Sequence, residues 1–350
     1  MRQSTKSILS LTAAAFLLYL SFRKLDPRLI WESISTANPF YLFLAVILNA
    51  FHYLPRAIRW RWLLRPFKTG IRLLSLLTTT FIGFLISWIF PGRLGEIVRP
   101  VLLARKEDLP VSGALATIVL ERILDAATVV ILFAAAMFWV PSGPMAGGLA
   151  KIIDPMYRAG KYAAIAALIL FPILVVLFLS RHRLMKAFKF YPGRSGRGWR
   201  ATLVRWGNDF VIGFRGLVSP ERLSLVLLYS IGLWILIGLN TWLVLRAFHI
   251  QSSFMATFLF LPLPVLGIAV PTPGGVGSFE ILCRWGMETL FGAPPHEAIA
   301  AAVTLHFVSL VPVLLFGSAS IWKQGISLRG LTGKQDGIGK DRTVIGEKTG

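Results

Sequence analysis

Long apolar runs separated by short polar segments extend along the chain as far as about residue 322. A helix that crosses the hydrocarbon core of a bilayer needs about 20 mostly apolar residues. The apolar runs predict helices over residues 8–22, 39–54, 71–90, 111–140, 161–180, 224–248, 254–270 and 298–322. This pattern predicts an all-α polytopic membrane protein.

The composition agrees with this class, since 55% of the 350 residues are hydrophobic and only 15% are charged. A soluble domain is about 45–50% apolar and roughly 25% charged, so the soluble and disordered classes are excluded. The single cysteine, Cys283, excludes an internal disulfide bond. Residues 1–325 are expected to form one integral membrane domain, and residues 326–350 a disordered cytoplasmic tail.

The basic residues predict which segments face the cytoplasm. The chain carries 37 Lys and Arg against 16 Asp and Glu, a net charge of +21, and most of these cations lie in residues 55–72, 181–223 and 323–350. Cytoplasmic loops are enriched in Lys and Arg, so we expect these segments and both termini on the cytoplasmic side of the inner membrane. Binding of nucleic acid would need a soluble folded module and is not expected.

Two apolar runs are expected to form re-entrant hairpins. If every run crossed the bilayer, one basic segment would lie outside. All three basic segments can lie in the cytoplasm if two of the runs form hairpins instead of crossing. The run before Pro91 and the segment after it would enter and leave on the cytoplasmic side. The run before Pro271 would begin a hairpin open to the outside. The fold then has about six full transmembrane helices and two broken hairpins, arranged as inverted repeats over residues 5–140 and 160–325.

The tips of the two hairpins share the pattern Pro-Gly-x-aliphatic-Gly, at residues 91–95 and 273–277. Interrupted apolar segments at corresponding positions of inverted halves point to the central site of a transporter. A helix that starts after such a break directs N–H groups at the membrane interior, where they can bind an anion; the alternative is a structural kink. The residues expected in this anion site or hinge are Pro91, Gly92, Gly95, Pro273, Gly274, Gly275 and Gly277.

Charged residues at membrane depth follow the breaks or lie in the fourth helix. Each charge at a helix centre costs about 2.5–3.5 kcal/mol, so these side chains are expected to face the bundle interior. Arg93, Glu96 and Arg99 are spaced to share one helix face. We expect the arginines, Arg93, Arg99 and Arg284 above all, to contact an anionic head group and the acids to hold them or carry a proton; the alternative is an ion-pair network that only locks the bundle. The expected substrate-binding residues are Arg59, Arg93, Glu96, Arg99, Glu121, Arg122, Asp125, Glu280 and Arg284.

Arginine and tryptophan alternate over residues 56–65, at the predicted cytoplasmic end of the second helix. Tryptophan favours the membrane interface, and arginine there attracts anionic lipid. Anchoring is the favoured interpretation, and guidance of head groups into the cavity is the alternative. Residues 199–218 have an amphipathic pattern that predicts a helix lying on the inner leaflet.

Signatures of an enzyme are weak. The five histidines lack the spacing of a metal site, and no nucleotide-binding motif is present, so neither a metal nor another cofactor is expected. Ser278 could act as a nucleophile with His306 as its base, but a serine at a helix start is more often a cap. The protein is therefore not expected to be an enzyme.

Four motifs in this order resemble a known family. They are Arg59-Trp60, Pro91-Gly92-Arg93-Leu94-Gly95-Glu96-x-x-Arg99, Glu121-Arg122-x-x-Asp125 and Pro273-Gly274-Gly275-Val276-Gly277-x-x-Glu280. Over about residues 5–325 the sequence resembles the flippase-like family that includes the transmembrane region of lysylphosphatidylglycerol synthases.

The resemblance implies lipid transport. In the synthases this region is associated with moving aminoacylated phosphatidylglycerol between leaflets, and a soluble aminoacyl-transferase domain follows it. The present sequence is not expected to aminoacylate a lipid, because that domain is not part of it. Other stand-alone members look connected with glycolipid, polyprenyl-lipid or hopanoid pathways.

The leading hypothesis is a lipid flippase or scramblase that moves an anionic or head-group-modified lipid between leaflets. Its partners would be membrane lipids and a lipid-biosynthetic enzyme. The alternatives are a non-transporting accessory or scaffold for a lipid-modifying enzyme and a transporter of small solutes or ions.

Overall fold

The computed structural model of the chain describes residues 3–23, 25–139 and 220–324, and in these ranges it contains helices and no strands. The prediction of an all-α protein is confirmed for this part of the chain. The predicted helices over residues 161–180 and 199–218 and the predicted tail over residues 326–350 lie outside the described residues.

Twelve α-helices and one short 3-10 helix, at Pro273–Gly275, form the described part. In chain order the α-helices are α1 (Gln3–Phe22), α2 (Pro27–Ser35), α3 (Pro39–Phe51), α4 (Tyr53–Leu64), α5 (Leu73–Ile89), α6 (Gly95–Glu107), α7 (Val111–Trp139), α8 (Pro220–Ala247), α9 (Ala256–Phe260), α10 (Pro262–Ala269), α11 (Ser278–Phe291) and α12 (Pro295–Gln324).

Within the described ranges, three helical stretches are long and apolar enough to cross a membrane: Pro39–Leu64, which combines α3 and α4, Glu221–Ala247 in α8, and Pro295–Gln324 in α12. α7 is 29 residues long but carries charges near its middle, at positions 121, 122 and 125. The lengths and composition of these helices are those of a helical membrane protein.

The helix formed by α3 and α4 continues to residue 64, well past its predicted end at residue 54. Pro55 lies in the first turn of α4, where its missing N–H breaks no hydrogen bond. Arg56, Arg59 and Trp60 are buried inside the protein. The prediction that residues 56–65 anchor at lipid head groups is therefore wrong for these three, because carboxylates and a hydroxyl group on α7 provide partners in the interior.

Each of the two predicted breaks separates a pair of helices that pack together, α5 with α6 and α10 with α11. Glycines allow both close approaches: a Cβ at Gly95 would lie 1.6 Å from the carbonyl oxygen of Gly83, and a Cβ at Gly267 would lie 2.7 Å from the Cα of Phe279. The chain reverses at the first break through positive φ angles at Gly92 and Arg93, of 78° and 54°.

Packing between elements brings the two breaks close together. α5 packs along α12, α3 packs along α8, and α7 contacts α9 and α10. The indole of Trp88 on α5 lies against Gly274 at the second break, where a Cβ would approach it to 2.5 Å. The second break therefore lies beside the end of the first hairpin.

Candidate functional site

A cavity of about 680 Å³ lies between the two breaks. Its wall is mostly apolar and includes residues of α3 to α8 and of α10 to α12. Five predicted binding residues line it, together with three predicted hinge residues. These are Arg93, Glu96, Arg99, Arg122 and Asp125, and Gly95, Gly274 and Gly275.

Two carboxylates one turn apart on α7, Glu121 and Asp125, form the centre of a buried ionic cluster. Arg59 reaches both, with its Nη1 2.6 Å from Asp125 Oδ1 and its Nη2 3.2 Å from Glu121 Oε1. Two groups on α8 complete this centre: the Ser230 hydroxyl accepts from Arg59 at 3.0 Å, and the Trp234 indole donates to Asp125 at 3.2 Å.

Two further buried arginines approach the same carboxylates from α6 and α4. Arg99 Nη1 lies 3.2 Å from Glu121 Oε1, and its guanidinium carbon lies 3.9 Å from the ring centre of Trp60, a cation–π contact. Arg56 is held more loosely, because its Nη1 lies 3.5 Å from Glu121 and 4.0 Å from Asp125. The Nε atoms of Arg56 and Arg99 are buried without a hydrogen-bond partner among the described residues.

Three charged side chains at the accessible edge of the cluster are each about one-third exposed. Arg122 lies 3.1 Å from Asp125 and 3.8 Å from Glu96. Arg93 lies 3.4 Å from Glu96, and its Nε donates to the carbonyl oxygen of Ile268 at 3.3 Å. Arg93 therefore joins the tip of the first hairpin to α10 of the second.

A second polar group surrounds His306 of α12. Its Nδ1 lies 2.5 Å from Glu280 Oε1 and its Nε2 lies 3.0 Å from the carbonyl oxygen of Gly274. The ring is stacked on Phe279, with 4.2 Å between centres, and lies 4.4 Å from Trp88. The two ring nitrogens of His306 therefore link Glu280 of α11 to the backbone of the second break.

The helix that follows each break has an acidic residue in its first turn. This residue is Glu96 in α6 and Glu280 in α11. The Gly277 N–H donates to Glu280 Oε2 at 2.6 Å. The carboxylate of Glu280 therefore occupies the position at the start of α11 that the sequence predicts for an external anion. This geometry favours the hinge interpretation of the prolines and glycines, and guanidinium groups provide the positive charge of the cavity.

Two predicted arrangements differ from the structure. Arg284 does not line the cavity, because its guanidinium donates to Glu288 at 2.6 Å and to the carbonyl oxygen of Ser21 at 2.7 Å. Arg93 does not share a helix face with Glu96 and Arg99, because it precedes α6 in a left-handed conformation. The prediction that Arg284 acts together with Arg93 is therefore wrong in its geometry.

The Ser278 hydroxyl lies 2.7 Å from the carbonyl oxygen of Gly267 and 3.0 Å from that of Gly275. It therefore links the two arms of the second hairpin. Since His306 faces Glu280 and Gly274 instead, the geometry favours a structural role for this serine over a nucleophilic one.

Arg56, Trp234 and His306 are not among the binding residues that the sequence predicts. Arg56 lies three residues before Arg59 on the same helix face, which is a signal that the pattern does contain. Trp234 and His306 had no such signal, because their partners lie 109 and 26 residues away in the chain.

These features define a helical membrane protein with an ionic cluster and a cavity between two broken helices. The chain belongs to the family described as the lysylphosphatidylglycerol synthase TM region, whose model matches residues 7–317. The family expected from the four sequence motifs is thereby confirmed.

Several relatives share most of this chain at low identity. The protein named glycosyltransferase AglD, from Haloferax volcanii, is 24% identical over 87% of this chain and 52% of its own length. A UPF0104 membrane protein of Methanothermobacter thermautotrophicus is 22% identical, over 84% of this chain and 86% of its own. Another, of Pyrococcus horikoshii, is 25% identical over 79% of this chain and 85% of its own. This chain thus spans about half the length of AglD.

Proposed function

We propose that this protein moves an anionic or head-group-modified lipid between the leaflets of the inner membrane, as a flippase or scramblase. The excess of guanidinium groups in the cavity carries the proposal. Among the described residues, four arginines line the cavity against two acids. A buried excess of positive charge is costly unless an anion compensates it. The candidate substrates are phospholipids, polyprenyl lipids and glycolipids.

The cavity also has the apolar surface that an amphiphile requires. Val129 of α7 and Val265 and Leu266 of α10 line it, and the last two are 37% and 57% exposed. The cavity wall therefore presents accessible apolar side chains beside the charged groups. A head group can occupy the ionic end while the acyl chains stay in the bilayer, an arrangement that a small ion or solute does not need.

Contacts between loops support the predicted topology, with cytoplasmic termini and two re-entrant hairpins. Two segments predicted to lie outside meet where the Asn38 N–H donates to the carbonyl oxygen of Ala247 at 2.8 Å. Two segments predicted to be cytoplasmic meet where Lys68 Nζ lies 3.0 Å from Glu107 Oε2. Each contact joins segments assigned to the same side.

Corresponding neighbours support inverted halves. α7 follows the first hairpin and packs on α6, and α12 follows the second hairpin and packs on α11. α12 packs along α5, as α7 packs along α9. In such a pair of halves, one set of contacts can open while the other closes, which would expose the cavity to each leaflet in turn.

Reconstitution of the full chain into phosphatidylcholine vesicles tests the proposal. The vesicles contain a trace of phosphatidylglycerol or phosphatidic acid with a fluorophore on one acyl chain, and dithionite bleaches only the outer leaflet. We expect the protein to bring the inner-leaflet pool of at least one of these anionic lipids to the surface. Rates equal to those of protein-free vesicles for both lipids contradict the proposal.

A non-transporting role beside a lipid-modifying enzyme is the second candidate, because the relative AglD is named a glycosyltransferase and is about twice as long as the matched region. This role predicts that the basic segment 181–223 matters more than the cavity. Loss of function in cells for Arg183→Gln and Arg205→Gln, with Arg99→Gln neutral, would favour the accessory role over transport.

A further inference from the structure

The charge balance around the cavity restricts the chemistry of the head group. Two carboxylates, Glu121 and Asp125, are surrounded by four guanidinium groups at nitrogen-to-oxygen distances of 2.6 to 4.0 Å. The four arginines are Arg56, Arg59, Arg99 and Arg122. Arg93 and Glu96 form a further pair of opposite charge. In the described residues the cluster therefore has an excess of two positive charges.

The excess positive charge lies where water cannot compensate it fully. The side chains of Arg56 and Arg99 are 7% and 4% exposed, and both line the cavity. All four guanidinium groups share the same two carboxylates, and among the described residues only Arg122 also approaches a third, Glu96, at 3.8 Å. The Nε of Arg56 and of Arg99 and the Nη2 of Arg99 are buried without a partner in this part of the chain. The stacking of Arg99 on Trp60 offsets part of the cost, whereas Arg56 lies 5.2 Å from the ring centre of Phe84 and makes only long contacts to acids.

We propose that the cavity binds a lipid whose head group carries two negative charges on phosphate, either as a phosphate monoester or as a diphosphate that is esterified at both ends. Two negative charges match the excess. The planar guanidinium groups of Arg56, Arg99 and Arg122 come from three helices and suit phosphate oxygens, which accept two N–H groups at once. A zwitterionic head group leaves the excess in place, and an aminoacylated lipid adds to it. This inference rests on the proposed function in one respect, namely that the bound molecule is a lipid.

Free inorganic phosphate has the same charge and the same hydrogen-bond acceptors as a lipid phosphate. The apolar wall of the cavity favours the lipid phosphate over the free ion. Burial of each methylene group contributes about 0.8 kcal/mol to binding of a hydrocarbon chain, and Val129, Val265 and Leu266 provide apolar surface beside the charges. An alkyl phosphate is therefore expected to bind much more tightly than inorganic phosphate.

Titration of the full chain in phosphatidylcholine nanodiscs, followed by tryptophan fluorescence, tests the inference. The probes are decyl phosphate, decyl sulfate, decylphosphocholine and inorganic phosphate. At pH 8 we expect decyl phosphate to bind at least about tenfold more tightly than decyl sulfate, which carries a single charge, and than either other probe. Equal affinities for decyl phosphate and decyl sulfate, or tighter binding of decylphosphocholine, would overturn the inference, and equal binding of inorganic phosphate would overturn the lipid assignment.

The pH dependence provides a second readout. The second pKa of a phosphate monoester is about 6, so the advantage of decyl phosphate over decyl sulfate should disappear as the pH falls below that value. Besides the arginines, the described residues that line the cavity and can change charge are Glu96, Asp125, His52, Tyr53 and His306. Their protonation affects both ligands, and decyl sulfate therefore reports the contribution of the protein. A ratio of affinities that does not change with pH would contradict the double charge.

Variants complete the test. Arg56→Gln should reduce the ratio of decyl phosphate to decyl sulfate affinity by roughly tenfold, whereas Arg246→Gln, at the end of α8 and outside the cavity wall, should leave the ratio unchanged. The wild-type ligand series stands without these variants if one of them fails to fold. Selective binding without lipid movement in vesicles would contradict the proposed function alone, and lipid movement with equal affinities would contradict this inference alone.

Discussion

At the scale of single residues, Glu121 determines how the arginines of the cluster are held. Its Oε1 is fully buried and lies within 3.5 Å of nitrogens from four guanidinium groups, while its Oε2 has no partner in the described ranges. The four are those of Arg56, Arg59, Arg99 and Arg122. Breaking a buried ion pair costs far more than breaking an exposed one, because an uncompensated charge remains.

Glu121→Gln should therefore destabilise the protein by about 3–5 kcal/mol. Thermal unfolding of the purified full chain in detergent measures the effect. The matched control is Glu288→Gln, since Glu288 has one charged partner among the described residues, Arg284, in a partly exposed pair. This variant should lose less than about 1 kcal/mol of stability. Equal shifts for the two variants would contradict the central position of Glu121.

The sequence identifies the buried charges but not their partners. Spacing along a helix reveals neighbours three or four residues apart, as for Arg284 and Glu288. Arg59 and Asp125 are 66 residues apart in the chain, and only the packing of α4 against α7 brings them together. The sequence alone therefore indicates a surface segment at residues 56–65, which the structure contradicts for Arg56, Arg59 and Trp60.

At the scale of elements, the two hairpins position the cavity groups because their arms approach closely at glycines. Gly83 and Gly95 meet between α5 and α6, one turn before Arg99. The Pro and Gly residues predicted both breaks, and the lengths of the apolar runs predicted most of the helices. The continuation of α4 was not predicted, since a helix rich in arginine looks like a loop until its buried partners are known.

Gly95→Ala should separate α5 from α6 and destabilise the protein by about 1–3 kcal/mol or more, because its Cβ would lie 1.6 Å from a backbone oxygen. The control is Gly232→Ala in α8, where a Cβ meets nothing within 4 Å in the part of the chain that the structure describes. This change should be neutral or stabilising by up to about 1 kcal/mol. The unfolding midpoints of both variants check this, and a Gly95→Ala protein as stable as Gly232→Ala would refute the close approach.

At the scale of the whole molecule, the account requires that the hairpins turn back on the side from which they enter. The number of membrane crossings between the basic segments predicts this topology, and contacts between loops support it. The shared pattern at the tips predicts that the two halves are related. The packing of α12 on α5 and of α7 on α9 could not be predicted, since it depends on surfaces far apart in the chain.

Single cysteines at Thr69 and Gln251, introduced with Cys283→Ala, should react with a membrane-impermeant maleimide from opposite sides of the membrane. Thr69 and Gln251 are both exposed, and the topology places Thr69 in the cytoplasm and Gln251 outside. Labelling of intact cells and of inverted vesicles distinguishes the two sides. Labelling of both positions from the same side would contradict the two-hairpin topology.

The central claim is that the excess guanidinium groups of the cavity carry an anionic lipid across the membrane. The most direct test is the rate at which fluorescent phosphatidylglycerol and phosphatidic acid cross in vesicles containing wild-type protein, Arg99→Gln or Arg246→Gln. The account predicts a rate for Arg99→Gln that is roughly ten- to a hundredfold below wild type, because a charge-assisted hydrogen bond to the head group is lost, and an unchanged rate for Arg246→Gln. Equal rates for all three proteins would contradict it.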